Sequence, residues 1–316
     1  MITMNEISQS QAELKNVKIA AAFRYAYRRA KFWKSWVWSL TILLAALQLF
    51  SAINHQHLKD YLPDNLAAMV VTVSLLSMLM GTLGRHFFIN RYIDLGSKLQ
   101  RLHDFEILGI GTKPTPLEVS QSQIERLSKK WLDNNPKDQP NLSEWWPNSI
   151  SELPEQSGIA LCLLSTFKWE NELRKKYSIV IILSGITAGL ASLFLMHILE
   201  YRISDYIVNI LTPMSPLLAL LIDEFLLNRS ALQVAQESSQ QALGLWNKYF
   251  DAPEKEGGKE ELNQLSYLWS SYRSTASPIF DWLYWITQKT MNKDMIIDAS
   301  ALISEYEKNA RSTHDD

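Results

Sequence analysis

The sequence predicts an all-α membrane protein with four transmembrane helices in two pairs and a helical cytoplasmic domain. Four apolar runs are each close to the length of about 20 residues that crosses the hydrocarbon core of a bilayer. Lysine and arginine residues gather on one side of these runs. No alternation of apolar and polar residues is long enough to indicate a β-sheet. We expect the central block and the C-terminal tail to form the cytoplasmic domain.

The composition excludes several classes of protein. The chain has 316 residues and a formal net charge of −2, so it lacks the positive charge of nucleic-acid coat proteins, and we expect no direct DNA or RNA binding. Cys162 is the only cysteine, which excludes an internal disulfide and indicates a reducing compartment for the non-membrane part. No nucleophile elbow, HExxH motif, P-loop or paired CxxC motif is present. We therefore expect no enzyme activity, no metal and no cofactor.

The first apolar run follows a basic, tryptophan-rich segment, and the two together, RRAKFWKSWVWSLTILLAALQLF, occupy Arg28–Phe50. The predicted span is Trp36–Ile53, in which Gln48 is the main polar break. It begins too far into the chain for a cleaved signal peptide, and no small-residue cleavage motif follows it. Val37–Phe50 lacks the charged face that a helix lying on a membrane surface needs. The run therefore predicts a retained anchor.

Three further runs complete the predicted spans, at Leu66–Leu83, Ser178–Leu199 and Tyr206–Leu227. The first of these has no charged residue, and the second carries Gly185 and Gly189 at the small-xxx-small spacing of helix-packing faces. Buried helices of a large soluble protein are the alternative interpretation. Two uncharged runs with basic flanks favour the membrane.

The fourth run carries prolines and acidic residues that are candidates for gating or packing. Pro213 and Pro216 lack backbone N–H donors, so they predict a bend or a late helix start. Such a kink suits a gate, or else the re-entry of a short outer loop. Asp223 and Glu224 lie near the cytoplasmic end, where ionisable groups are functional candidates. Snorkelling towards water or pairing with Arg229 explains them equally well.

Basic residues predict the orientation of the chain. They cluster before the first span, after the second and before the third, at Arg24, Arg28, Arg29, Lys31, Lys34, Arg85, Arg91, Lys98, Arg101, Lys168, Arg174, Lys175 and Lys176. Lys59 and Arg202 are the only lysine or arginine residues in the loops on the other side. We therefore expect both termini in the cytoplasm. The predicted segments are a cytoplasmic helix at 1–35, two spans at 36–83, a cytoplasmic block at 84–177, two spans at 178–227 and a cytoplasmic tail at 228–316.

Both cytoplasmic blocks have helical patterns. TPLE at Thr115–Glu118 is a capping-box sequence with proline at the first helical position, so we expect a helix to begin there. A longer helix is predicted from about Ser157 into the third span without a stop signal, and we hypothesise that it transmits movement into the bilayer. Asp251–Glu260 has the composition of a flexible linker, and Pro278 starts a final helix.

Three stretches of the cytoplasmic blocks form a familiar pattern: EWWPNSISELP, GIALCLLSTFKWENELRKKY directly before the third span, and YRSTASPIFDWLYWI in the tail. With the layout of the spans, they resemble the SMODS-associating four-transmembrane effectors of bacterial cyclic-oligonucleotide anti-phage (CBASS) systems. The matching positions are Trp146, Pro147, Leu153, Pro154, Cys162, Trp169, Leu173, Arg174, Tyr177, Arg273, Pro278, Asp281, Trp282 and Tyr284. The chain departs from the family at Leu163, where glutamine tends to follow the cysteine.

The resemblance implies a function in immunity. A phage-activated nucleotidyltransferase makes a cyclic di- or trinucleotide, and the cytosolic part of the effector senses it. The membrane helices then assemble as a homo-oligomer and permeabilise the bacterial inner membrane, which stops phage replication by abortive infection. A membrane-anchored scaffold or signalling subunit without a pore, or a small transporter, are the alternatives.

A cyclic oligonucleotide presents phosphates, which arginine and lysine bind, and base faces, which stack on aromatic rings. Arg273 is the first candidate for phosphate contact, and the other candidates are Arg174, Lys175, Lys176, Trp169, Trp282 and Tyr284. Residues 174–176 also suit a purely topological role at a membrane boundary, and the tryptophans suit helix packing. His103 beside Asp104 resembles half of a metal site, but no second such set accompanies it.

Overall fold

The computed structural model describes residues 6–54, 66–251 and 258–312, and all regular structure among them is helical. The α-helices are α1 Ile7–Ala12, α2 Leu14–Asn54, α3 Leu66–Gly84, α4 Asn90–Leu108, α5 Gln121–Asn134, α6 Gln139–Ser143, α7 Glu155–Ile198, α8 Ile203–Tyr206, α9 Thr212–Asp251, α10 Gly258–Thr275 and α11 Asp281–Ser312. Two π-helical turns, Arg85–Ile89 and Ile207–Leu211, and a 3₁₀ turn, Asn148–Glu152, complete the set. The all-α prediction is confirmed.

The chain divides into two compact units. The large unit comprises Met1–Arg29, Tyr92–Lys175 and Ser230–Asp316, and the apolar unit comprises Ala30–Arg91 and Lys176–Arg229. Each of the long helices α2, α7 and α9 contributes residues to both units. The predicted helix without a stop signal is confirmed, since α7 is continuous from Glu155 to Ile198.

The large unit has a conventional water-excluded core. Its main cluster surrounds the first turns of α7, where Leu161, Cys162 and Phe167 have no exposed surface. Residues of α9, α10 and α11 pack against them: Trp246, Tyr249, Leu262, Leu265, Trp269, Ile303 and Tyr306. A second cluster joins α2, α4 and α5, where buried alanines of α2 allow close helix approach. Burial of these side chains is the dominant favourable contribution to folding of the large unit.

The motif EWWPNSISELP joins the start of the chain to this core. The Gln11 side chain of α1 donates from Nε2 to the Trp146 carbonyl (3.0 Å) and accepts from the Trp146 backbone N–H (3.2 Å). The Trp146 indole donates from Nε1 to the Cys162 carbonyl at 3.2 Å. Leu153 is also buried. Residues that carry the resemblance are therefore packing residues of the large unit.

The apolar unit has the opposite surface. Its long helices expose large apolar side chains, among them Leu47, Leu75, Leu79, Leu190, Phe194, Ile203 and Ile222. Three helices among the described residues are long and apolar enough to cross a membrane, at Leu14–Phe50, Glu155–Ile198 and Ile203–Phe250. A surface of this kind is unfavourable in water and suits lipid, so the chain is an integral membrane protein.

The predicted second span, Leu66–Leu83, coincides with α3. Its first half includes side chains outside the described residues, so the four-span arrangement stays a prediction. The fourth run does not start late, because the chain is helical from Ile203 onwards. A π-helical turn precedes Thr212, Pro213 is the second residue of α9, and Pro216 lies within that helix.

The predicted helix start at Thr115–Glu118 is wrong. Glu118 accepts from the Thr115 backbone N–H at 2.9 Å, as in a capping box, but the contact closes a turn. The helix α5 begins at Gln121, and Ser120 is its N-cap. Arg101 of α4 also binds the Glu118 carboxylate (2.7 Å), and the buried Val119 fixes the chain after the turn. The predicted linker, Asp251–Glu260, lies mostly outside the described residues.

Two leucines of the large unit provide a matched test of its core. Leu99 has 0% exposed surface, whereas Leu117 is 99% exposed. Leu99→Ala should lower the free energy of unfolding by about 2–5 kcal/mol, because it removes buried methyl groups and leaves a cavity. Leu117→Ala should change it by less than about 0.5 kcal/mol. Denaturant unfolding of both variants in detergent micelles measures the difference, and equal effects would contradict this packing.

Candidate functional site

Four ionisable side chains of the large unit lie in its interior, where charge is costly unless paired. Asp104 is on the buried face of α4, and Arg273 is near the end of α10. Arg273 donates from Nη1 to Asp104 Oδ2, and the side chains are 8% and 12% exposed. Arg174 and Glu170 form the second pair, one turn apart on α7. We call these four residues the buried charge cluster.

Arg174 makes the larger number of contacts in the buried charge cluster. Its Nε lies 2.9 Å from Glu170 Oε1 and donates to the Tyr272 hydroxyl, while Nη2 donates to the Ser277 carbonyl at 3.4 Å. The Tyr272 hydroxyl in turn donates to Glu170 at 2.6 Å. The guanidinium is thus held between α7 and α10 with a fixed orientation.

Two stacked rings lie beside the arginines. Trp269 and Tyr272 are parallel within 14°, with their centroids 4.5 Å apart. The Arg273 guanidinium carbon lies 4.9 Å from the Trp269 centroid, and that of Arg174 lies 5.2 Å from the Tyr272 centroid. Both distances suit cation–π attraction. The spacing of the residues on α10 produces this arrangement, because positions 269, 272 and 273 share one helix face.

Three buried polar atoms around this cluster have no hydrogen-bond partner among the described residues: the Tyr27 hydroxyl, His103 Nε2 and Trp269 Nε1. The Tyr27 hydroxyl on α2 interacts electrostatically with Arg273, Glu170 and Asp104. His103 Nδ1 lies 3.8 Å from Asp104 Oδ1. Buried polar groups are satisfied in the great majority of proteins, so unpaired atoms gathered beside two arginines indicate a place for a polar ligand or water.

Burial and the neighbouring charges shift the pKa values of several groups in and around the cluster. Burial alone would raise the pKa of Asp104, but Arg273 and His103 outweigh it and hold the pKa below its ordinary value. Burial raises the pKa of Tyr272 well above its ordinary value, and it likewise raises that of Tyr27. Burial, helped by the charge of Asp104, also raises the pKa of the Cys162 thiol, so this cysteine is not an activated nucleophile.

Of the residues predicted to bind ligand, the structure places Arg273 and Arg174 beside one stacked ring pair, and it packs Trp169 against Tyr284 elsewhere. Lys175 is exposed and pairs with Glu172 at 2.7 Å, and Lys176 is half-buried. Trp169 donates from its indole to Asn292 at 3.0 Å. Its ring packs against the edges of neighbouring rings, including that of Tyr284, and Trp282 is 45% exposed.

Sequence reasoning missed several members of the cluster. Glu170, Tyr272 and Tyr27 were not predicted, and Asp104 was considered only with His103 as half of a metal site. No group of three metal-ligating side chains occurs within the described part of the chain. The helical spacing of Trp269, Tyr272 and Arg273 was the signal that could have shown a shared face.

A second buried ion pair lies in the apolar unit. Lys34 donates from Nζ to Glu224 Oε1 at 2.6 Å and to the Tyr177 hydroxyl at 3.1 Å. The Tyr177 hydroxyl donates to the same carboxylate oxygen at 3.0 Å. Three helices, α2, α7 and α9, therefore meet at one polar point. Asp223 pairs with Arg85, so these contacts replace the pairing with Arg229 that the sequence suggested.

The predicted packing glycines, Gly185 and Gly189, are half-buried on a face of α7 that also carries the buried Ile181 and Ser192. A Cβ atom at either glycine would meet no atom within 4 Å among the described residues. There is therefore free space directly beside each glycine.

The all-helical fold, the exposed apolar surface and the paired interior charges define a helical integral membrane protein with a folded polar unit. The family model of the SMODS-associating 4TM effector domain matches residues 5–302, and the chain belongs to this family. No curated protein and no solved structure matches the chain.

The ion pair of the apolar unit generates a prediction about stability. Lys34 and Glu224 have side chains that are 4% and 5% exposed. Lys34→Met should lower the free energy of unfolding by about 3–5 kcal/mol, because it leaves the Glu224 carboxylate buried without its cation. The matched control is Lys175→Met, which removes an exposed pair and should cost less than about 1 kcal/mol. Unfolding in detergent micelles separates the two, and a similar loss in both would refute the buried pairing.

Proposed function

We propose that this protein is a membrane effector of anti-phage immunity that is triggered by a cyclic di- or trinucleotide. The large unit binds the nucleotide in the cytosol, and the protein then oligomerises and permeabilises the inner membrane, which causes abortive infection. Membership of the SMODS-associating 4TM effector family supports the effector role. One observation supports the proposed class of ligand. Arg174 and Arg273, which were predicted separately from the sequence, are both buried beside the same stacked aromatic pair.

The chemistry of this cluster fits a cyclic oligonucleotide. Each phosphodiester carries a negative charge that a guanidinium binds through two parallel hydrogen bonds. Nucleobases stack on aromatic faces, which Trp269 and Tyr272 provide. The unpaired Trp269 indole N–H is a donor for a phosphate or base oxygen. A ligand with several phosphates and bases would satisfy all these groups together.

The membrane response is supported by the surface of the apolar unit. Four ordinary spans cannot by themselves enclose a wide water-filled path, so permeabilisation requires several copies. The free space beside Gly185 and Gly189 would allow the close approach of a helix from another copy. The distribution of lysine and arginine supports an orientation with both termini in the cytoplasm.

The helix α7 is the proposed connection between sensing and response. Arg174 belongs to the buried charge cluster, and Tyr177 binds Lys34 and Glu224 in the apolar unit. Only three positions separate Arg174 from Tyr177 on this helix. A shift of Arg174 on ligand binding would therefore also displace Tyr177 on the next turn, which contacts Lys34 and Glu224.

Dye release from proteoliposomes tests the proposed function. Wild-type protein should release carboxyfluorescein when one of a panel of cyclic di- and trinucleotides is added from outside, and should retain it otherwise. Arg273→Gln should raise the required concentration by about 10–100-fold, since a charged hydrogen bond contributes about 1.5–3 kcal/mol. Lys129→Gln, which removes an exposed charge of α5, should behave as wild type.

Two outcomes would count against the proposal. Retention of dye with every nucleotide, although one of them binds, would favour a membrane-anchored scaffold or signalling subunit without a pore. Equal nucleotide response in wild type and a correctly folded Arg273→Gln variant would remove the buried charge cluster from the ligand site. Thermal unfolding and size-exclusion chromatography in detergent establish that each variant is folded.

A further inference from the structure

We propose that Asp104 occupies the anion position of Arg273 in the resting protein and that a phosphate group of the ligand displaces it. The identity of the ligand rests on the proposed function, but the exchange at Arg273 does not. The carboxylate would thus act as a built-in competitor that sets the ligand concentration needed for a response. Its displacement would change which helices the Asp104 side chain connects.

The Asp104–Arg273 pair leaves donors of the arginine available for such an exchange. Among the described residues, Arg273 makes one hydrogen bond, from Nη1 to Asp104 Oδ2. A guanidinium has five N–H donors, and phosphate characteristically takes two of them in parallel. A bidentate phosphate contact would therefore replace a single-point carboxylate contact. Trp269 lies against the guanidinium and fixes its plane during the exchange.

Two buried polar groups are alternative partners for the displaced Asp104 carboxylate. The Tyr27 hydroxyl and His103 Nε2 are buried and unpartnered, and both residues interact electrostatically with Asp104. Tyr27 stays protonated because burial raises its pKa, so it is available as a donor to a carboxylate. In the resting state, Asp104 joins α4 to α10. After displacement it would join α4 to α2, through Tyr27.

The charge balance of the site favours one exchange rather than simple addition. Two arginines face two carboxylates in the resting cluster, so its formal charge is zero. An added phosphodiester makes the buried site negative unless the displaced carboxylate takes up a proton, because a carboxylate that turns towards the buried Tyr27 keeps its charge within the site. Arg273 and His103 act on Asp104, and Asp104 in turn acts on Tyr27 and Cys162. Of these, Arg273 is the only permanent cation, so its loss as a partner raises the affinity of Asp104 for a proton.

Asp104→Asn tests the exchange directly, with inorganic pyrophosphate as the probe and calorimetry on the full chain in detergent micelles. The amide keeps the shape of the side chain but removes the competing charge, so pyrophosphate should bind at least about tenfold more tightly than to wild type. The double variant Asp104→Asn, Arg273→Gln should lose this gain. Glu172→Gln, which neutralises an exposed carboxylate of α7, should bind as wild type does.

The results separate this proposal from the proposed function. Equal or weaker pyrophosphate binding by folded Asp104→Asn protein would overturn the exchange. Tighter pyrophosphate binding without binding of any cyclic di- or trinucleotide would support the exchange and reject the ligand class. If Asp104→Asn does not fold, wild-type calorimetry in two buffers of different ionisation enthalpy decides. Sulfate, which unlike pyrophosphate does not titrate near pH ~5, is the probe in this case: proton uptake on its binding supports displacement with protonation of Asp104, and the absence of uptake contradicts it.

Discussion

The apolar side chains of this chain need two different surroundings, and the rest of the structure depends on that constraint. In the large unit, side chains such as Leu99 and Phe167 have no exposed surface, as in any water-soluble core. In the apolar unit, Leu75, Phe194 and Ile203 are each more than half exposed. Lipid removes the cost of that exposure, and helices satisfy their own backbone hydrogen bonds within it. A chain with both kinds of surface is stable only where water and hydrocarbon meet.

The same constraint governs the charges. Neither a protein core nor a span tolerates an isolated ion, so the buried groups occur in pairs, Asp104 with Arg273 and Lys34 with Glu224. Well-packed apolar residues would often provide equal stability, which makes such pairs weak evidence for a purely structural role. A ligand with an anionic group can displace the carboxylate of a buried ion pair and bind its cation. An apolar contact at the same place would offer the ligand no group to bind. This difference is the physical reason that we propose the buried charge cluster as the ligand site.

The sequence predicted the helices well because their signals are local. Apolar length predicted long apolar helices, three of which are suited to cross a membrane, and the absence of a stop signal predicted the continuous α7. The helix start at Thr115 was wrong because Arg101 and the burial of Val119, both tertiary effects, decide where α5 begins. Resemblance supplied Arg174 and Arg273, but their partners were missed, since Asp104 and Arg273 are 169 positions apart and no spacing links them. Lys34 with Glu224 is a contact of the same kind.

Cysteine labelling in intact spheroplasts tests the membrane arrangement most directly, because Cys162 is the only native cysteine and is buried. His57→Cys marks the predicted outer loop, which lies outside the described residues, and Ser300→Cys marks an exposed position on α11. A membrane-impermeant maleimide should label position 57 in intact spheroplasts and position 300 only after lysis. Labelling of position 300 in intact spheroplasts, or protection of position 57 until lysis, would contradict four spans with the large unit in the cytosol.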